Sequence, residues 1–132
     1  MPQTKTRMLM ADLATALKLP ALPPDDNNGY QLTIGGETTV FIYGEADERL
    51  LIVAPVGKLP PGIGFGLALY LLGRNMFNAD LTPFQVATDA GGGVVLWGRL
   101  GMGEVSGQSL VGVLGVLADR AAEIRGELAA AA

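Results

Sequence analysis

Apolar positions along this 132-residue chain recur with two periods, three to four in some blocks and two in others, and the switches between them mark out the elements. Leu9, Leu13, Ala16 and Leu17, with Met10 beside them, make one helical stripe between Thr4 and Leu19, and Lys5, Asp12 and Lys18 lie off it or at its ends. Pro20 is expected to stop that helix. Ala21 to Gly29 (ALPPDDNNG) is rich in Pro, Asp and Asn and reads as a loop. Tyr30, Leu32 and Ile34 then alternate with Gln31 and Thr33, Gly35-Gly36 forms a tight turn, and Thr38 to Tyr43 (TTVFIY) returns as a second strand. After the acidic turn Gly44 to Glu48, Arg49 to Val56 is apolar on both faces, which predicts a third strand interior to the sheet.

From Ile63 to Phe77 the chain is apolar nearly all round, so a helix there must be covered on more than one side, by the sheet and by a second copy of the protein. Its end, with Asn75, Asn78 and Asp80, leads into a hairpin. Phe84, Val86 and Thr88 lie on one arm, Val94 to Leu100 on the other, and Asp89-Ala90-Gly91-Gly92-Gly93 forms the loop. Ser106 is a good N-cap for a last helix. There Leu110, Leu114, Leu117, Ala121, Ile124 and Leu128 repeat in steps of four and three, a seam expected to dock on the sheet rather than to form a coiled coil. The predicted class is α+β in the order α-β-β-β-α-β-β-α, an antiparallel sheet packed by helices, as one domain over residues 1–132.

Composition narrows the chemistry. The chain has no cysteine and no histidine, which removes thiolate and imidazole nucleophiles, bases and metal ligands. A net charge of −4, with nine Lys and Arg scattered singly, supplies no basic patch for nucleic acid. At 49% hydrophobic residues and a mean hydropathy of +0.36, some apolar surface is expected to face a partner. No apolar run reaches the roughly 18 to 20 residues of a bilayer span, and the N-terminus lacks the pattern of a secretory signal, so a soluble cytoplasmic protein without membrane insertion is expected.

Three features invite a chemical reading and favour a plain one. Asp25 and Asp26 read as solvated turn residues. Glu45, Asp47 and Glu48 lack the glycine and distal glutamate of a calcium loop and read as a hairpin tip. Gly62, Gly64 and Gly66 do not complete a dinucleotide or phosphate-loop fingerprint, and close helix packing is expected to explain them. No catalytic residue, metal site or cofactor is expected.

In element order, size and acidity, and in the run Leu71-Leu72-x-x-Asn75 at the end of the second helix before an alternating hairpin and an amphipathic helix, residues 4 to 128 resemble the class I type III secretion chaperones. The sequence departs from that pattern in its Gly-rich second helix and at Leu100-Gly101-Met102-Gly103, where members often have a proline-containing exit. The resemblance implies a bacterial homodimer that holds an extended effector segment without ATP. It implies an effector groove on the first helix and first three strands, with Leu9, Leu13, Leu17, Leu32, Ile34, Phe41 and Tyr43 as candidates, each equally compatible with plain core. It implies a dimer contact on the second helix and following hairpin, with Leu69, Leu72, Met76, Phe77 and Trp97 as candidates. Two other classes stay open at this point: a non-chaperone binding or regulatory module on the same scaffold, and an enzyme that works with carboxylates, Tyr, Ser and Lys alone.

Overall fold

A computed structural model describes residues 2–25, 29–60, 62, 65–76 and 83–131. The elements are α1 (Pro2–Ala16), β1 (Gly29–Ile34), β2 (Thr38–Gly44), β3 (Arg49–Lys58), α2 (Phe65–Gly73), β4 (Gln85–Thr88), β5 (Gly93–Gly101), a 3-10 turn (Met102–Glu104) and α3 (Gly107–Ala131). Helices and strands follow the predicted order. The five strands form one antiparallel sheet in the order β1-β2-β3-β5-β4, so β3 is central and β1 and β4 are the edges.

Turn chemistry sets the register. Gly35 and Gly36 have left-handed φ of 64° and 76° in a three-residue loop, Gly35 to Glu37, across which Ile34 pairs with Thr38. At the other hairpin the Asp89 carboxylate accepts hydrogen bonds from the amides of Gly91 and Gly93, at 2.9 and 2.8 Å, and closes the loop. The β3–β5 ladder slips between Pro55 and Gly57, a bulge that accommodates a proline in a central strand.

Alternation then divides the sheet into two unlike faces. Val40, Ile42, Leu50, Ile52, Ala54, Val94 and Leu96 point to one side and are buried beneath Met10 and Leu13 of α1 and the whole predicted α3 seam. Every residue of that seam is buried, so α3 docks on α1 and the sheet. Ser106 caps α3 reciprocally: its Oγ accepts from the Ser109 amide at 3.1 Å, and Ser109 Oγ accepts from the Ser106 amide at 2.8 Å. At Gly107 a Cβ would lie 2.5 Å from the Asp12 carbonyl carbon, so glycine is what lets α1 and α3 approach.

Three expectations need correction. α1 ends at Ala16, before Pro20, because Lys18 turns left-handed (φ 58°) and the Leu19 amide reaches back to the Ala14 carbonyl at 2.9 Å, closing the helix in a Schellman-type stop. Close packing among the described residues does not explain Gly66, since none of them lies within 4 Å of where its Cβ would stand, while Gly62 answers to its positive φ of 70°; Gly64 lies outside the described residues. α2 ends at Gly73, short of the predicted Phe77, and among the described residues Leu71 is buried, Leu67 packs half-buried against the core, and Leu69, Tyr70 and Leu72 are exposed.

Candidate functional site

Three acidic residues at the β2–β3 turn are held in ion pairs. Glu48 pairs with Lys5 at 2.6 Å, Asp47 with Arg49 at 2.6 Å and Glu45 with Arg99 at 2.7 Å, all at the surface. The hydrogen bond from Arg49 holds the Asp47 carboxyl below its ordinary value, and that from Lys5 does the same for Glu48. A general acid near neutral pH requires a shift in the opposite direction. Among the described residues no group of three or more Asp and Glu is placed to hold a metal ion.

The seven candidates for an effector groove do not form one patch, because the sheet stands between them. Leu13 is 0% exposed and Leu32 7%, and both belong to the core. Leu9, Leu17 and Ile34 are half-buried and pack against that core at its margin. Phe41 and Tyr43 point the other way. In β2 it is Val40 and Ile42 that enter the core, which leaves Thr39, Phe41 and Tyr43 on the opposite face.

That opposite face is apolar in its own right and carries neither α1 nor α3. Phe41 pairs with Val53, Val53 with Trp97, and Trp97 with Gln85, so one row crosses four strands. Tyr43, Leu51 and Arg99 make the next row. All of these but Gln85 and Arg99 are half-buried, sheltered by one another, and the Arg99 guanidinium stands over the Trp97 ring at 5.2 Å. Leu51, Val53 and Val95 are members of this face that the sequence did not single out as site residues. A strand apolar on both sides is their only signal.

The dimer candidates lie in two places. Leu69, Leu72 and Met76 are exposed on and just after α2, at 51%, 65% and 55%, and Tyr70 joins them at 48%. Trp97 lies on the sheet face with Phe41, and Phe77 lies outside the described residues. Between α2 and the β4 edge is an apolar cavity of about 180 Å³ lined by Leu59, Ala68, Leu71, Leu72, Val86 and Ala87. Residues just past α2 attach it there. Arg74 pairs with Glu127 of α3 at 3.0 Å, and the Asn75 side chain bonds Val86 of β4.

A five-stranded sheet with one sealed face, one apolar face that neither α1 nor α3 covers and, among the described residues, an apolar helix left exposed at its edge defines a small α+β binding protein. The sequence profile of the Tir chaperone protein (CesT) family matches residues 8–125, and the chain belongs to that family. Solved structures share its fold. The Yersinia pestis type III secretion chaperone SycH, in complex with a stable fragment of YscM2, is 23% identical, with a TM-score of 0.74 over 89% of this chain and 97% of that one. A chain of the heterodimeric ExoU-SpcU complex from the type III secretion system of Pseudomonas aeruginosa is 26% identical, with a TM-score of 0.66 over 92% and 94%. The ExoT-SpcS complex, also from Pseudomonas aeruginosa, contributes a chain 21% identical with a TM-score of 0.67 over 90% and 96%. No curated protein sequence matches this chain. No helix among the described residues is long and apolar enough to cross a membrane.

Proposed function

We propose that this protein is a bacterial cytoplasmic chaperone that binds the extended N-terminal segment of a type III secreted effector and keeps it secretion-competent without ATP, cofactor or chemical step. Membership of the Tir chaperone family over residues 8–125 carries the reading. Structures of its fold that hold a chaperone with a partner, SycH with the YscM2 fragment and SpcU with ExoU, support it.

The binding physics follows from the two faces. An extended segment gains affinity from main-chain hydrogen bonds at a sheet edge and from apolar side chains laid on exposed apolar surface, so one protein accommodates a client that has no fold of its own. The ordering entropy of that client keeps affinity below what the contact area suggests. Leu9, Leu17 and Ile34 at the α1–β1 margin and Phe41 and Tyr43 on the bare face are the client-side residues in this reading. Leu69, Leu72 and Met76 of the α2 region, with Trp97, bury against a second copy to make a homodimer. Neither nucleic acid nor membrane insertion has a part in this reading.

Co-expression with N-terminal segments of candidate type III effectors tests the function. The expected result is a co-purified complex of two copies of this chain with one segment. A monomer that retains none of the segments overturns it.

A further inference from the structure

Apolar contact alone does not fix how α2 sits on the sheet edge. Among its described residues Leu71 is buried, Leu67 and Ala68 are half-buried, and the cavity of about 180 Å³ between the helix and β4 means that packing does not wedge it in place. Successive residues stand about 100° apart around a helix axis, so a roll by one position would turn Leu69 and Leu72, one turn apart on the exposed face, out of that face. Polar ties just past the helix oppose the roll from two sides. The Asn75 side chain bonds Val86 of β4 at 2.6 and 2.8 Å. Arg74 reaches the other way, to α3: its side chain is 14% exposed, and its two terminal nitrogens donate to Glu127 Oε1 at 3.0 Å and to Glu123 Oε2 at 3.4 Å. Glu123 and Glu127 are one turn apart on α3, so their charges repel, and a planar guanidinium that takes an oxygen from each relieves the repulsion and is itself held in one direction. Ile124 and Leu128, each next to one of these carboxylates in the chain, are buried in the core and give the pair a fixed base.

We propose that Arg74 is a positioning residue for self-association: its tie to Glu123 and Glu127 sets the roll of α2, so that Leu69, Leu72 and Met76 meet a second copy as one preformed surface. A dimer built on a helix free to roll loses part of its contact energy to ordering that helix, and the tie removes this cost before the copies meet. The strength of the dimer is thereby set from α3, by a cluster satisfied within one chain. Lysine is a poor substitute at this position, because an ammonium meets one carboxylate without fixing a direction. The inference deepens the proposed homodimer and rests on it.

Sedimentation equilibrium on the full chain measures the dimer dissociation constant, and amide hydrogen exchange in a Leu72→Asp background reports how firmly α2 is held in a single copy. Arg74→Ala is expected to raise the dissociation constant about tenfold. In the Leu72→Asp background it speeds exchange of the α2 amides, while those of β3 and β5 keep their protection. Arg74→Lys falls between Arg74→Ala and the unmodified chain. Glu127→Ala weakens the dimer in the same direction, and adding it to Arg74→Ala costs nothing further, the non-additivity of a residue that acts through α3 rather than by touching the second copy. Where Arg74→Ala does not fold, Glu127→Ala, which keeps Arg74 and its bond to Glu123, decides the matter by the same rise or its absence. The inference is overturned by fully additive effects of the two substitutions, or by a dissociation constant that stays put while the urea midpoint of Arg74→Ala falls, which leaves Arg74 a role in stability alone. An unmodified chain that remains monomeric overturns the proposed homodimer and the inference with it; a dimer indifferent to Arg74→Ala overturns only the inference.

Discussion

The side-chain amide of Asn75 pairs with both main-chain groups of Val86: its Oδ1 accepts from the Val86 amide at 2.6 Å and its Nδ2 donates to the Val86 carbonyl at 2.8 Å. Asn75, two residues past α2, thereby acts as a single rung of strand on the open side of β4. It satisfies an edge that would otherwise offer those groups to another chain.

Asn75→Ala is expected to destabilise the protein by about 1–3 kcal/mol, the usual cost of stranding a part-buried pair of main-chain groups. Asn75→Asp loses the donor and sets a carboxylate against the Val86 carbonyl, so it falls at least as far. Urea unfolding midpoints check both, and light scattering reports whether the uncovered β4 edge begins to associate.

Leu13 and Leu72 answer opposite questions. Leu13→Ala opens a hole in a fully buried site and costs about 2–5 kcal/mol. Leu72→Asp, at a position 65% exposed, leaves the unfolding midpoint of the monomer within about 0.5 kcal/mol of the parent. The same substitution is expected to convert a dimer to a monomer in size-exclusion chromatography with light scattering. A Leu72→Asp protein that stays dimeric removes α2 from the interface.

Phe41→Asp changes the bare face without touching the core, since its neighbours Val40 and Ile42 are the residues turned inward. Effector retention is expected to fall at least tenfold while the circular dichroism spectrum and the dimer persist. Trp97 lies two strands away in the same row and serves as a fluorescent reporter of client arrival. An emission spectrum unmoved by a client that does bind places the client elsewhere.

Lys5 and Glu48 tie the start of α1 to the β2–β3 turn. With the Glu48 carboxyl held below its ordinary 4.5, the stabilisation linked to it is complete above pH 4.5 and is lost as pH falls through the lowered value. Lys5→Ala is expected to return the Glu48 titration to about 4.5, measured by carboxyl NMR, and to leave stability at pH 7 nearly unchanged because the pair is solvent-exposed.

The sequence made some of this legible and hid the rest for physical reasons. The α3 seam, the Gly35-Gly36 turn and the Ser106 cap are local signals, and each appears where its chemistry puts it. The stop of α1 was misplaced because a lysine, not the nearby proline, adopts the left-handed turn. The division of site residues failed where strands are apolar on both faces: in Thr38 to Tyr43 and Arg49 to Val56 the alternation contrasts apolar with apolar, so Phe41 and Tyr43 could not be told from the inward Val40 and Ile42. Asn75 showed as a helix-end residue, but its partnership with Val86 depends on how α2 folds back over the edge, which no spacing encodes.

Because the sheet separates a sealed layer from a bare one, β2, β3 and β5 each carry two interleaved and independent sets of instructions. Under the proposed function, odd positions such as Phe41 and Tyr43 are the ones to rewrite for a new client while even positions such as Val40, Ile52 and Leu96 continue to specify the fold. Retargeting the molecule is therefore a matter of editing every second residue, with no need to design the scaffold again.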